Sequence, residues 1–370
     1  MRIAIVLNTS WNIYNFRMGF IQALQSAGHE VHTIAPVDEY TKFLTEAGCI
    51  HHPMKMDRRG ANPIKDIALT GELFLIYLKT KPDIILHYTI KPNIYGTFAA
   101  ALLGIPVINN VCGLGTVFLK RNLASLIAIA LYKLAFLFPQ KVFFQNPEDL
   151  NLFVAKRLIS ERQADLLPGS GINLKEFSPI EFKRNSHFTF LMISRLIIDK
   201  GVVEYITAIE NLKAKGILAK FQLLGSMDPE HKRGIKLEII KEWIDSGTVE
   251  YLGTTSNVIP YIAKADCIVL PSYREGTPRA LLEAASCAKP IIATNVPGCR
   301  QIVLDNFNGL LCNLKDANDL AEKMESMMSM KDAQLKQFGE NGRNLVEKGY
   351  DQNIVFEKYF NAIDELRQAS

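Results

Sequence analysis

Short runs rich in Val, Ile and Leu alternate with longer helical segments in two successive series along the chain. RIAIVLN (2–8), EVHTIAP (30–36), DIILHY (83–88), PVINNV (106–111) and KVFFQN (141–146) form the first series. A Pro-, Gly- and Ser-bearing stretch, LPGSGINLKEFSPIEFKRNS (167–186), interrupts it. The pattern then restarts with HFTFLMIS (187–194), KFQLLG (220–225), TVEYLG (248–253), DCIVLPS (266–272) and KPIIAT (289–294). Nearly continuous apolar strands separated by helices predict parallel sheets covered on both faces. The expected fold class is therefore α/β, with doubly wound domains over 1–170 and 187–351 and a linker at 171–186. In such sheets ligands bind at the carboxyl ends of the strands, so the residues just past each strand are the candidates.

Composition supports globular domains, with 48% hydrophobic and 22% charged residues in 370. Six cysteines stand at 49, 112, 267, 287, 299 and 312 with no C-x-x-C pair. That spacing predicts reduced, mostly buried thiols and speaks against a zinc site or disulfide frame. The first strand begins at once, and its apolar run is too short for a signal peptide, so a cytoplasmic protein is expected. Residues 1–180 carry 18 Lys and Arg against 13 Asp and Glu, whereas 181–370 carry 24 against 25. From Ile84 to Pro147 there is no acidic residue, yet Lys91, Lys120, Arg121, Lys133 and Lys141 are present. A nucleic-acid binder would be more basic overall, with aromatic residues among the basic clusters. An anionic membrane surface or a phosphorylated ligand fits this local bias better.

In the second half, SRLIIDKG follows a strand and places Arg195 and Lys200 before a helix. Two cations at a helix entrance suit a diphosphate, although a solvated surface pair is the competing reading. YREGTPRALLEAASC follows another strand and carries Glu275, Gly276, Thr277, Pro278 and Glu283 across a turn into a helix. Pro278 suits the first helical turn. A carboxylate accepts two hydrogen bonds, so Glu283 could hold a ribose diol and Glu275 sugar hydroxyls. Alternatively, Glu275 is a helix N-terminal charge and Glu283 a solvated helix residue.

The E-x7-E spacing, the EGTP turn, GCRQIV downstream and SRLIIDKG upstream together resemble family 4 of the retaining glycosyltransferases. LPGSGIN is similar to that family's interdomain segment. The resemblance covers essentially the whole chain and implies the GT-B fold, two Rossmann-like domains facing a central cleft. It also implies a final helix, 352–370, crossing back to the first domain; Tyr359, Phe360, Ile363 and Leu366 give that helix an apolar stripe. By the same resemblance, Arg195 and Lys200 would bind the nucleotide diphosphate, Glu283 the ribose, and Glu275 the donor sugar. Gly276, Thr277 and Pro278 would complete the donor site, with Glu275, Arg195 and Lys200 as the catalytic set. No metal or other cofactor is expected, in keeping with the absence of a D-x-D motif.

The first half would choose the acceptor. NTSWNIYNFR stands where many family members have a Gly-rich turn, and offers Asn8, Trp11, Tyr14 and Asn15 to a sugar, although the aromatics could simply pack. Arg58 and Arg59 in a loop, and Lys91 after a strand, would meet an acceptor diphosphate. Many relatives use a first-domain His near the reacting centre; His87 lies too early to be its equivalent. LKRNLASLIAIALYKLAFLFPQK (119–141) is too short and too interrupted for a comfortable membrane span. It reads as a helix packed on one face and partly inserted at an anionic membrane surface on the other, through Lys120, Arg121, Leu123, Leu126 and Ile127. DEYTKFLTEAG, RRGANP, IKPNIYGTFAA and NNVCGLGTVF look like bacterial transferases that extend lipid-linked saccharides for capsule, O-antigen or N-glycan assembly. That likeness implies a UDP-sugar donor, an N-acetylhexosamine among the candidates. It implies a polyprenyl-diphosphate-linked acceptor and peripheral attachment to the inner face of the membrane. The rival readings are a transferase with a soluble acceptor, a UDP-N-acetylhexosamine epimerase and a non-catalytic nucleotide-sugar sensor.

Overall fold

The structure is a computed structural model that describes residues 1–57, 62–114 and 123–369. It divides into two units, Met1–Gly171 with Gln352–Ser370, and Ile172–Asp351. Residues 172–186, read above as linker, belong to the second unit, where Ile172 and Phe177 are buried in its core.

The first unit runs β1 (Arg2–Val6), α1 (Ser10–Ser26), β2 (Glu30–Ala35), α2 (Thr41–Glu46), β3 (Ile50–Pro53), α3 (Pro63–Thr80) and β4 (Ile84–Tyr88). It continues with α4 (Thr97–Leu102), β5 (Val107–Val111), α5 (Leu123–Ala135), β6 (Lys141–Phe144), α6 (Pro147–Ala155) and β7 (Ala164–Leu166). All strand pairs are parallel, in the order β3-β2-β1-β4-β5-β6-β7. Alternation along β1 divides the core. Ile3, Ile5 and Leu7 pack with α1, whereas Ala4 and Val6 pack with Leu69, Leu73 and Tyr77 of α3.

The second unit runs β8 (Thr189–Ile193), α7 (Val202–Ala214), β9 (Lys220–Leu224), α8 (Leu237–Asp245), β10 (Glu250–Tyr251), α9 (Ile259–Lys264) and β11 (Cys267–Leu270). Then follow α10 (Arg279–Ser286), β12 (Ile291–Thr294), β13 (Gly309–Cys312), α11 (Ala317–Ser329) and α12 (Asp332–Gly349). Its parallel sheet has the order β10-β9-β8-β11-β12-β13. Phe190 and Met192 face α7, and Leu191 faces Leu281 and Leu282 of α10. After the break at Tyr350-Asp351 comes α13 (Gln352–Ala369), which returns to the first unit, where Val355, Tyr359 and Ile363 join the α1 side of the core.

Both sheets reverse direction once, between β1 and β4 in the first and between β8 and β11 in the second. Each reversal opens a crevice at the carboxyl ends of the two flanking strands, the place where open α/β sheets receive ligands.

Candidate functional site: the strand ends of each unit

In the second unit the loop after β8 closes in a single 3-10 turn, Ile198–Lys200, before α7. Gly201 ends that turn at φ 76°, and a Cβ there would collide with the Pro271 carbonyl oxygen. The loops after β8 and β11 are thus seated directly on one another. Tyr273 N–H donates to the Asp199 carbonyl at 2.9 Å. Lys200 Nζ touches Glu275 Oε1, and Ser272 Oγ donates to the same oxygen at 2.7 Å. Only 11% of the Glu275 side chain is exposed, so this pair is largely withdrawn from water. Two residues 75 apart in sequence therefore meet at the switch point of the sheet. Arg195 lies on the same loop with an exposed side chain that makes no ion pair among the described residues.

The turn carrying Glu275 is held from behind. Glu275 N–H donates to the Pro297 carbonyl at 3.2 Å. Gly298, at φ 87°, comes so close that a Cβ would lie 2.6 Å from the carbonyl oxygens of Glu275 and Gly276. Only glycine fits there on both counts. Gly276 and Thr277 complete the turn, and Pro278 is the residue preceding α10, in extended conformation, rather than part of its first turn. Glu283 sits on α10 and is not a solvated helix residue. Burial pushes its carboxyl pKa up, Arg279 pulls it back down, and Glu176 adds a further push upward. Arg279 Nε donates to Glu283 Oε1 at 2.9 Å, which fixes the carboxylate's orientation. Arg279 and Arg233 are the cations that sequence reasoning missed; Arg233 Nε donates to Asp199 Oδ1 at 2.9 Å and braces the Lys200 turn. The i,i+4 spacing of Arg279 and Glu283 was the available signal for the first. No sequence signal pairs Asp199 with Arg233.

In the first unit the stretch after β1 is a helix, not a loop. The Thr9 side chain accepts from Asn12 N–H and starts α1 at Ser10. Asn8 is half-buried at the end of β1, and Trp11 is exposed with its ring edge against Phe16 at 5.3 Å. Tyr14 packs on Tyr40 and Phe43, at 5.6 and 5.2 Å, and Asn15 Nδ2 donates to the Trp11 carbonyl at 2.8 Å. The structure thus gives Tyr14 and Asn15 local partners. Lys91 follows β4 but is not a free cation, because its Nζ contacts Asp66 Oδ1 at 2.6 Å. Tyr95 hydroxyl donates to the other Asp66 oxygen at 3.1 Å. Just before it, Thr89 holds φ 67°, strained for a β-branched residue, at the switch point of this sheet. His87 is fully buried. Arg58, Arg59, Lys120 and Arg121 lie outside the described residues, as does the side chain of Leu123.

Leu126 and Ile127 are exposed on α5, at 61% and 52%, with Leu134 beside them. A second apolar stripe was not foreseen: Ile64, Ile67, Leu75 and Leu78 all face outward on α3. Both helices cover the same face of the sheet, opposite α1 and α13. Among the described residues no helix is long and apolar enough to cross a membrane.

Comparison with known proteins bears on the family and the fold. Residues 175–345 match the family model "Glycosyl transferases group 1", and residues 2–146 match "Glycosyl transferase 4-like". The N,N'-diacetylbacillosaminyl-diphospho-undecaprenol alpha-1,3-N-acetylgalactosaminyltransferase of Campylobacter jejuni is 31% identical, over 99% of each chain. The UDP-Gal:alpha-D-GlcNAc-diphosphoundecaprenol alpha-1,3-galactosyltransferase of Escherichia coli is 28% identical, over 80% of this chain and 78% of that one. The solved structure of sucrose-phosphate synthase from Thermosynechococcus elongatus superposes with a TM-score of 0.82 at 20% identity, covering 100% of both chains. That superposition gives the chain the GT-B fold, two Rossmann-like units in one polypeptide. With both modules present in order and a relative alike from end to end, the chain belongs to the group 1, family 4-like glycosyltransferases and is a sugar-transferring enzyme.

Proposed function

We propose that this enzyme moves a sugar, an N-acetylhexosamine in the first instance, from a UDP-activated donor to a saccharide carried on polyprenyl diphosphate, with retention at the anomeric carbon. The observation that carries the donor half is the meeting of Lys200 and Glu275 at the β8–β11 switch point, with Arg195 open beside them on the loop. The acceptor half is supported by the names of the two relatives, both of which act on sugars attached to diphospho-undecaprenol. In this reading the acceptor hydroxyl oxygen bonds to the anomeric carbon as the bond to the β-phosphate oxygen of UDP breaks. The departing phosphate oxygen takes the acceptor proton. Arg195 and Lys200 meet the charge that develops on the diphosphate, a form of stabilisation strongest where water is excluded. Glu275 orients the donor sugar, Glu283 takes the ribose, and no cofactor beyond the donor is required.

The decisive assay offers UDP-sugars with a short-chain polyprenyl-diphosphate glycan and reads UDP release and product mass. Transfer to the glycan is expected. Epimerisation of UDP-N-acetylhexosamine without acceptor would replace this reading with the rival isomerase. Gly298→Ala supplies a structural control. It should weaken UDP binding by about tenfold or more, because the added methyl must displace the Glu275 turn, and destabilise the second unit by about 1–3 kcal/mol. Calorimetric titration with UDP that showed unchanged affinity would detach that turn from the donor site.

The lipid carrier would bring the enzyme to the inner face of the cell membrane. The outward apolar residues of α3 and α5 support peripheral attachment there, as does the exposed Lys133 in a segment free of acids. Replacing Ile67, Leu75, Leu126 and Ile127 with serine should reduce flotation on phosphatidylglycerol vesicles by about tenfold or more. Unchanged flotation would place the membrane contact elsewhere or remove it.

A further inference from the structure

Tyr273 lies two residues before Glu275, on the loop that follows β11, and its side chain is half-buried. Its hydroxyl donates to Glu204 Oε1 at 2.6 Å. That length is typical of a charge-assisted bond from a hydroxyl to a carboxylate, roughly twice as strong as a neutral one. Glu204 stands in the first turn of α7, four residues after Lys200. Lys315, just past β13, places its ammonium over the Tyr273 ring, 4.8 Å from the centroid. One ring therefore joins segments that follow β8, β11 and β13.

An acid in the first turn is favoured by the positive end of the helix. This one, however, is drawn inward. Glu204 Oε2 is buried and has no hydrogen-bond partner among the described residues. A carboxylate oxygen left dry and unpaired is costly, so the phenol bond to the other oxygen is one the site depends on. Burial pushes the Tyr273 phenol pKa up, and its bond to Glu204 pushes it further, so the hydroxyl keeps its proton as a donor. The backbone beside it is also tied to the Lys200 turn. Tyr273 N–H donates to the Asp199 carbonyl at 2.9 Å, and Ser272 Oγ lies 3.2 Å from the same oxygen. Contacts gathered at one point leave rotation about that point free. The phenol adds a second point, at the far end of a rigid side chain.

We propose that Tyr273 and Glu204 form a positioning latch, in which the phenol grips the first turn of α7 and thereby holds Glu275 in register with Lys200 for the donor sugar. The role of Glu275 toward that sugar rests on the function proposed above. Both members of the latch act through Glu275 and are positioning residues. Their effect on rate comes from geometry, because a misplacement of about 1 Å at a reacting centre can cost on the order of 100-fold. Lys200 itself is held separately, by Gly201 and by the Arg233–Asp199 pair. Loss of the latch should therefore disturb Glu275 and spare the diphosphate side of the site.

The test follows Tyr273→Phe in the full-length protein by steady-state kinetics, with calorimetric titration of UDP beside it. Tyr273→Phe should lower kcat for transfer to the short-chain polyprenyl-diphosphate glycan about tenfold or more, and slow hydrolysis of the UDP-sugar without acceptor by a similar factor. Its affinity for UDP, which lacks the sugar that Glu275 orients, should stay within about twofold of the wild type. Glu204→Leu should match it, and the double variant should lose no more than either single change, because one contact is removed in all three. Glu204→Gln keeps an acceptor oxygen for the phenol and should retain about half the wild-type rate or more. A merely structural pair would move thermal stability and leave kcat and this rescue unmoved. Wild-type kcat in Tyr273→Phe, additive losses in the double variant, or Glu204→Gln as slow as Glu204→Leu would each overturn the latch, while transfer by the wild type would leave the proposed function standing. If donor hydrolysis falls as expected in Tyr273→Phe but even the wild type extends no lipid-linked acceptor, the latch stands and the acceptor reading fails.

Discussion

Lys200→Ala should slow sugar transfer about 100- to 1000-fold, with a much smaller change in thermal stability. The lysine lies at the one place in the second sheet where two loops diverge, and its ammonium already rests against Glu275. When the bond to UDP breaks, negative charge collects on the diphosphate. A fixed ammonium withdrawn from water stabilises that charge without reorganisation, whereas water would have to turn towards it. The variant should therefore lose kcat more than UDP affinity. Arg195→Ala should lower both, because its exposed side chain can bind the ground state as well. Glu275→Gln separates the two functions of the contact, since it retains the shape of the turn and removes the charge facing Lys200. If Lys200 served only to neutralise Glu275, the double variant Lys200→Met with Glu275→Gln would recover the activity lost in Lys200→Ala. Recovery of that kind in steady-state kinetics would sink the assigned role. Loss at least as deep as in the single variant supports it.

How much of this was legible in the sequence follows from where each interaction gets its partner. The central strands of both sheets were readable because each is apolar on both faces, as in IIAT of β12 and IILHY of β4. Of the edge strands only β10, in TVEYLG, was; β3, β7 and β13 were not. β3 reads IHHP and is largely exposed, and β7 is a three-residue segment, so neither gives a periodic signal. The helical start at Ser10 escaped notice because it depends on a single threonine cap rather than on a hydrophobic pattern. The two loops that carry Lys200 and Glu275 could be named in advance, because the strand-end rule selects loops. Their contact could not, because strand order had first to bring β8 beside β11. The same limit explains Lys91. Nothing near it in sequence reveals that Asp66, 25 residues earlier on α3, neutralises it. A lysine that looked free for a phosphate is instead paired with a carboxylate.

A buried polar cluster in the same unit leads to the second large expected effect, a loss of first-unit stability on mild acidification that traces to His87. This side chain has no exposed surface, and burial drives its pKa down from the ordinary 6.5 to about 3. Its Nδ1 faces Asn109 Oδ1 at 3.0 Å and its Nε2 faces the Tyr77 hydroxyl at 2.9 Å. One nitrogen donates and the other accepts, so the neutral ring satisfies both partners. Gly96 closes the cage, where a Cβ would lie 2.5 Å from Nε2. Because the folded pKa lies below the unfolded one, the unfolded chain binds the proton more tightly. The contribution is complete above about pH 6.5 and is lost progressively as pH falls towards 3. Between pH 7 and pH 5 the cost should be about 2 kcal/mol. His29, His51 and His52 are shifted in the same direction, chiefly by burial, so the total slope belongs to all of them. His87→Gln isolates the share of one. It should cost about 2–4 kcal/mol at pH 7 through the broken network, yet lose less stability than the wild type between pH 7 and 5. Trp11 and Trp243 fall one in each unit, so a variant lacking Trp243 lets urea unfolding of the first unit be followed by the fluorescence of Trp11 alone. A His87→Gln protein whose midpoint fell with pH as steeply as the wild type's would show that this histidine protonates in the native state, and the neutral cage described here would be wrong.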